Sequence, residues 1–207
     1  MRILAGTHKG RALLAPPKGA SARPITGAAK KSLFDTLSGL LPGAAVADLY
    51  CGTGTMGLEA VSRGADRVYF AEREAGTMAR LRRNINELGV AGRCVIWAGD
   101  VWATLARRLE RLDRPLDVVF VDPPYAHSRR WDWDEATRRL FEPLAAKLSA
   151  DGVVALRVEG KAEPPDRLGP LDVIRRKRYG GMAVALLALP TSRPNRSEEN
   201  TDYTDTA

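Results

Sequence analysis

Residues 45–60 read AVADLYCGTGTMGLEA. A strand-like run (45–50) feeds Gly52, Gly54 and Gly57, spaced G-x-G-x-x-G, and a helical pattern follows over 55–63. A strand that enters a glycine turn and leaves it as a helix is the opening unit of a parallel α/β sheet. Without side chains in the turn, a ligand can approach the backbone. Working outward, strand-like runs recur at 67–71, 93–97, 116–121 and 152–158, with helical patterns at 75–88, 101–111 and 134–148. Such alternation predicts a mainly parallel sheet covered on both faces. Two last strands, 171–179 and 182–189, are separated by little more than YGG and predict a C-terminal antiparallel hairpin. Upstream, Thr26 is placed to cap a helix starting near Gly27, with an apolar stripe at Leu33, Phe34, Leu37, Leu40 and Leu41. Residues 2–6 and 11–15 flank THKG and predict a small N-terminal β-hairpin, after which APPKGASARP reads as a linker. The expected division is a basic hairpin and linker over 1–24, one α/β domain over 25–190, and a polar tail over 191–207 that should be disordered.

Composition narrows the setting. No apolar run in the 207 residues approaches the length of a membrane span, and the first residues lack a secretory signal. Two cysteines, Cys51 and Cys94, and two histidines, His8 and His127, predict neither a disulfide framework nor a metal centre, and fit a cytoplasmic protein. The net charge of +7 is concentrated: residues 1–34 hold seven cations and no acid, so the other residues sum to zero. A segment of that kind is an expected landing surface for a polyanion.

Three acids end consecutive strands. Asp48 precedes the glycine turn, Glu72 ends the second strand, and Asp100 follows the third. In an open parallel sheet these ends lie side by side along the ligand crevice. Glu72 is placed for ribose hydroxyls and Asp100 for an adenine amine, although Asp100 also suits a helix N-cap. Asp48 separates the candidate ligands. It would repel the pyrophosphate of a dinucleotide but attract the ammonium and sulfonium of S-adenosyl-L-methionine. Its other reading is an acid that braces the loop. The expected cofactor set is Asp48, Cys51, Gly52, Gly54, Glu72 and Asp100.

The strand 116–121 reaches the same edge and delivers Asp122-Pro123-Pro124-Tyr125. Two prolines remove two backbone donors and stiffen the turn. Asp122 and the carbonyl of Pro123 can then accept both hydrogens of a planar –NH2, while Tyr125 stacks on the ring that bears it. The lone pair of such an amine is delocalised, and two fixed acceptors favour the tetrahedral nitrogen that can attack a methyl group. This reading requires the Asp122 carboxylate to face the Gly52–Gly54 bend across an open gap that no salt-bridged side chain fills.

These motifs, together with MRILAGTHKGRAL, RPITGAAKKSLFDTL and RRKRYGG, resemble the RsmD type of 16S ribosomal RNA guanine-N2 methyltransferases within the class I S-adenosylmethionine-dependent superfamily. The resemblance extends to about Leu189. It implies a Rossmann-like sheet of seven strands, S-adenosyl-L-methionine as donor, and a guanine amine of ribosomal RNA as acceptor. The expected partner is that RNA within a small-subunit particle, bound by a monomer without a metal. The base, taken from a loop or flipped out, is expected over Asp122 to Tyr125. Phosphate contacts are expected from Arg2, Lys9, Arg11, Arg23, Lys30, Lys31, Arg129 and Arg130. Trp131 and Trp133 either stack on a neighbouring base or pack their loop. Gly27, Ala28, Ala29, Lys30 and Lys31 stand where the family carries an arginine-rich helix start with a glutamate, so positive charge is kept at two positions and the arginine forks are not. The other readings of the same residues are adenine N6 or a glutamine amide as acceptor, a nicotinamide-dependent oxidoreductase, and a non-catalytic RNA-binding module.

Overall fold

The computed structural model describes residues 1–16 and 25–190. Eight strands form one sheet in the order β3-β2-β1-β4-β5-β8-β7-β6. The first five, β1 (Ala45–Leu49), β2 (Arg67–Glu72), β3 (Cys94–Ala98), β4 (Leu116–Val121) and β5 (Leu148–Glu159), pair in parallel. The strands β7 (Leu171–Tyr179) and β8 (Met182–Ala188) pair antiparallel, as YGG predicts. One strand more than the seven implied is present: β6 (Arg167–Leu168), a two-residue edge strand.

Strand alternation sorts the core onto two faces. Val46, Phe70, Val118 and Phe120 pack under α1 (Gly27–Thr36), α2 (Thr55–Ser62) and α3 (Ala75–Leu88). Ala47, Leu49, Val119 and Val121 pack against α4 (Val101–Glu110) and the helical residues 133–145. Thr26 caps α1 as predicted, its hydroxyl accepting from Ala29 N at 3.3 Å. The helix predicted over 134–148 is broken. It runs as a short helical turn, then a π-helical stretch over Thr137–Phe141, then another turn over Glu142–Ala145. Pro143 lacks the N–H that an unbroken α-helix would use here, so the ladder widens and the following strand begins earlier, at Leu148.

The predicted N-terminal hairpin forms without regular strands: Arg2 and Ala12 make one antiparallel bridge, Ile3 N donates to Arg11 O at 3.0 Å, and Gly10 N and Leu13 N donate to Ile3 O and Met1 O, each at 2.9 Å. Its other backbone donors turn to the domain. Leu4 N and Ala5 N donate to the Glu59 carboxylate at 2.8 and 3.0 Å, Thr7 N donates to Ser62 O at 2.8 Å, and Leu14 N donates to Asn84 Oδ1 at 2.8 Å. Gly6 makes this docking possible, because a Cβ there would lie 1.8 Å from Ser62 O. Residues 1–16 are therefore an arm fastened to α2 and α3. Residues 17–24, which hold most of the predicted linker, and the tail predicted over 191–207 lie outside the described residues.

Candidate active site

Strand order reverses between β1 and β4, which opens a crevice at their carboxyl ends. Beyond β1 the chain turns sharply. Tyr50, Gly52 and Gly54 take φ values of 60°, 57° and 83°, left-handed conformations that favour glycine at two of the three positions. A cavity of about 360 Å³ occupies the crevice, lined by Tyr50, Gly52, Glu72, Asp100, Asp122 and His127 among others. A smaller recess of about 60 Å³ adjoins it, with Gly52 and Asp122 in both walls and Pro123, Tyr125, Arg157, Met1 and Ile25 in its own. Asp122 of the Asp-Pro-Pro-Tyr turn and Gly52 of the glycine bend thus line the same two openings.

Glu72 holds the glycine bend in place. Its Oε2 accepts from Gly52 N at 3.0 Å, and its Oε1 accepts from Arg73 N and Glu74 N at 2.8 and 2.9 Å. A carboxylate has about four lone-pair sites, so one more donor can be accommodated. Asp100 caps α4 through Trp102 N at 2.9 Å, as one of its two readings expects, and also lines the cavity. Its Oδ2 pairs with Arg73 at 3.1 Å. Cys51 is buried in the recess wall, and burial pushes its thiol well up, leaving it neutral.

Asp48 corrects its expected role. It is 1% exposed and lines neither cavity. Its Oδ2 accepts from Gly57 N at 2.8 Å, so it braces the turn from behind rather than facing a ligand. Burial pushes its carboxyl up to about 7, against the pull of the Gly57 amide and of Lys30, and the neighbouring Asp122 and Glu72 push the same way as burial. Its Oδ1 is buried without a hydrogen bond.

The Asp-Pro-Pro-Tyr turn is laid out as the strand predicts. Asp122 N continues the pairing to Leu49 O at 3.2 Å, and a helical turn, Tyr125–Ser128, follows the prolines. The Pro124 carbonyl accepts from His127 N and Ser128 N at 2.8 and 3.1 Å, whereas that of Pro123 accepts no hydrogen bond among the described residues. A residue missed in the sequence stands beside them. Arg157 of β5 donates Nε–H to Asp122 Oδ1 at 2.5 Å, and its Cζ lies 5.7 Å from the centre of the Tyr125 ring. Burial pushes the Asp122 carboxyl up, and Arg157 pulls it back down. The signal was available: an arginine inside VVALRVE is a charge in a buried strand, and such a charge requires a partner. Both partners of the ion pair line the recess, and Arg157 is not among the residues that line the larger cavity, which Asp122 and Gly52 share.

The predicted phosphate contacts divide. Arg2, Lys9, Arg11, Lys31, Arg129 and Arg130 are exposed. Arg2 donates to Gly10 O at 2.9 Å, Arg11 to Glu87 O at 2.8 Å, Lys31 pairs with Asp35 at 2.6 Å, and Arg129 pairs with Glu159. Lys30 is a correction. It is 4% exposed and its Nζ pairs with the fully buried Glu59 at 2.8 Å, so it fastens α1 to α2 and faces no solvent. Arg23 lies outside the described residues. Trp131 and Trp133 pack edge to face with each other, and Trp131 with Trp102, which is the packing alternative. Among the described residues no three side chains are grouped to hold a metal, and no helix is long and apolar enough to cross a membrane.

The mostly parallel sheet with its antiparallel C-terminal strands is that of the class I methyltransferase fold. The family model described as Conserved hypothetical protein 95 matches residues 1–188, and the chain belongs to that family, the RsmD family. It is 28% identical over 186 residues to the Bacillus subtilis protein named "Putative rRNA methyltransferase YlbH", covering 90% of this chain and 97% of that one. It is 31% identical over 125 residues to "Ribosomal RNA small subunit methyltransferase D" of Escherichia coli K12, a stretch that is 60% of each chain. Among solved structures, "Putative methyltransferase yhhF from Escherichia coli" superposes with a TM-score of 0.74 at 26% identity, covering 91% of this chain and 97% of that one.

Proposed function

We propose that this protein transfers a methyl group from S-adenosyl-L-methionine to the exocyclic N2 amine of a guanine in 16S ribosomal RNA, acting as a monomer on a small-subunit particle. The observation that carries the reading is that Gly52 and Asp122 line both the cavity and the recess, so a nucleoside donor and a clamped amine would meet at one opening. The names of the relatives supply the nucleic acid, the Asp-Pro-Pro-Tyr turn suits a planar amine, and the guanine follows from the family resemblance that the N-terminal motifs narrow.

The residues present fit the donor. Open space lies where a Cβ at Gly52 would project, Glu72 retains an acceptor site toward the cavity, and Asp100 stands at the third strand tip. Four carboxylates in the lining, Glu72, Glu74, Asp100 and Asp122, against one arginine, Arg73, suit a cationic ligand and oppose a pyrophosphate. When bound, the cofactor supplies an electrophilic methyl group on a sulfonium. The chain's own residues act on the acceptor. Asp122 and the Pro123 carbonyl accept the two amine hydrogens and turn the nitrogen lone pair outward, and Tyr125 holds the ring by stacking. The nitrogen sheds a proton only after it has gained the methyl, and Asp122 is the base within reach.

The test is incubation with cofactor labelled on the methyl, against unmodified small-subunit particles and against free 16S RNA. Mass spectrometry of the nucleosides should show N2-methylguanosine. Asp122→Ala should lower turnover at least about 100-fold while cofactor affinity changes little. Label in N6-methyladenosine or in protein glutamine instead would overturn the guanine assignment.

A further inference from the structure

Arg157 is the one charged residue in the buried stretch Val153–Val158, and it is 8% exposed. A cation is costly there unless something holds it. What holds it is the acceptor turn. The β4–β5 register sets Val121 beside Leu156, so the next residue along each strand, Asp122 and Arg157, come together. Nε donates to Asp122 Oδ1 at 2.5 Å, the guanidinium lies over the Tyr125 ring at 5.7 Å, and Nη1 reaches Met182 Sδ at 3.8 Å. One side chain therefore touches both groups to which the acceptor amine and its ring are assigned, and it forms part of the recess wall itself.

We propose that Arg157 is the positioning residue of the acceptor slot: it fixes Asp122 by Oδ1 and backs one face of Tyr125, so that Oδ2 and the opposite ring face are presented to the substrate. The inference rests on the methyl-transfer reading above. Its chemical logic is that only an ionised Asp122 accepts from both lone-pair regions, and a protonated one would offer an O–H to the amine. The charged groups facing Asp122 are Asp48 from β1, which repels its charge, and Arg157 from β5, which stabilises it. Arg157 is thus the cation that pulls against burial at Asp122. Lysine in its place would keep the charge and lose the planar fork and the stacking.

The experiment compares wild type, Arg157→Lys and Arg157→Met on small-subunit particles over pH 6 to 9, with cofactor affinity measured by calorimetry and folding by thermal melts. Arg157→Met should lose about 10- to 100-fold in kcat, as a misplaced reacting group does. Its acid limb should move to higher pH, because Asp122 then holds its proton more tightly, so the deficit narrows as pH rises. Cofactor affinity should stay within about threefold, and Arg157→Lys should recover part of kcat and most of the shift in the limb. If Arg157→Met is too unstable to assay, Arg157→Lys still decides, since a kcat and limb equal to those of wild type would refute positioning by the fork. A loss of kcat that only follows the folded fraction, with an unmoved limb, would reduce Arg157 to a structural role and overturn the proposal. Failure of the methyl-transfer reading shows separately, as wild type that labels no amine, and takes this inference with it.

Discussion

Asp48→Asn isolates the buried acid behind the glycine turn. Asparagine keeps a carbonyl oxygen for Gly57 N, which donates to Asp48 at 2.8 Å, and removes the charge. The magnitude follows from the two protonation equilibria. An unfolded aspartate titrates at 3.8, and burial raises Asp48 to about 7 in the folded chain. Between those values the folded state binds the proton more tightly, so stability falls as pH rises. The penalty in wild type is about 2 kcal/mol at pH 5 and about 4 kcal/mol at pH 8, taking 1.36 kcal/mol per pH unit. Asparagine carries no such penalty, so its advantage over wild type should widen by about 2–3 kcal/mol from pH 5 to pH 8. In a domain of this size that is a divergence of roughly 5–10 °C in Tm. Urea unfolding at both pH values reads it directly. Cofactor affinity should change little, because Asp48 lines neither cavity. Stability curves for the two proteins that run parallel from pH 5 to pH 8 would refute the reasoning, and a large loss of cofactor affinity would restore Asp48 to the ligand set.

Two further outcomes test the arm. Glu59→Ala strips the partner from buried Lys30 and the acceptor from Leu4 N and Ala5 N, and should destabilise the fold by about 3–5 kcal/mol in denaturant titration. Hydrogen exchange should then accelerate first at residues 4 and 5. Lys9→Gln and Arg11→Gln change exposed cations, and each should flatten the slope of log affinity for single-stranded RNA against log salt by roughly 0.7, with Tm unchanged.

The places where sequence and structure part share a cause, which is that residue type was read without side-chain parity. The alternating order, the Thr26 cap and the glycine bend were legible because each is a local rule. Asp48 was assigned to the ligand because it ends a strand. Yet Val46 packs beneath α1 to α3, and alternation puts Asp48 on that same covered face. Lys30 was counted in a basic segment, but it stands three, four and seven residues before Leu33, Phe34 and Leu37, all of them buried. Helical period places it on their stripe, where a lysine needs a buried acid. That acid, Glu59, lies in another helix, and no local rule pairs them. Arg157 follows Val153 and Ala155 at even spacing, and both are core residues of one face. Pattern reading could have said that it is buried, and only the sheet register could have said that Asp122 is its partner.

The same contacts change what the basic arm can do. Asn84 is buried on α3, accepts from Leu14 N at 2.8 Å and donates Nδ2–H to Thr53 O at 3.0 Å, inside the glycine turn. Glu59 fastens Leu4 and Ala5 to α2, the helix that the turn leads into. Met1 and Pro16 stand in the recess wall. A freely tethered basic tail would raise the local concentration of RNA and leave its orientation open. An arm held at both ends on the elements that build the glycine bend presents its exposed cations, Arg2, Lys9 and Arg11, at fixed positions relative to Asp122. Deleting the segment would therefore remove part of the site together with the charge, and only substitutions that neutralise the exposed cations one at a time can separate phosphate contact from the architecture of the slot.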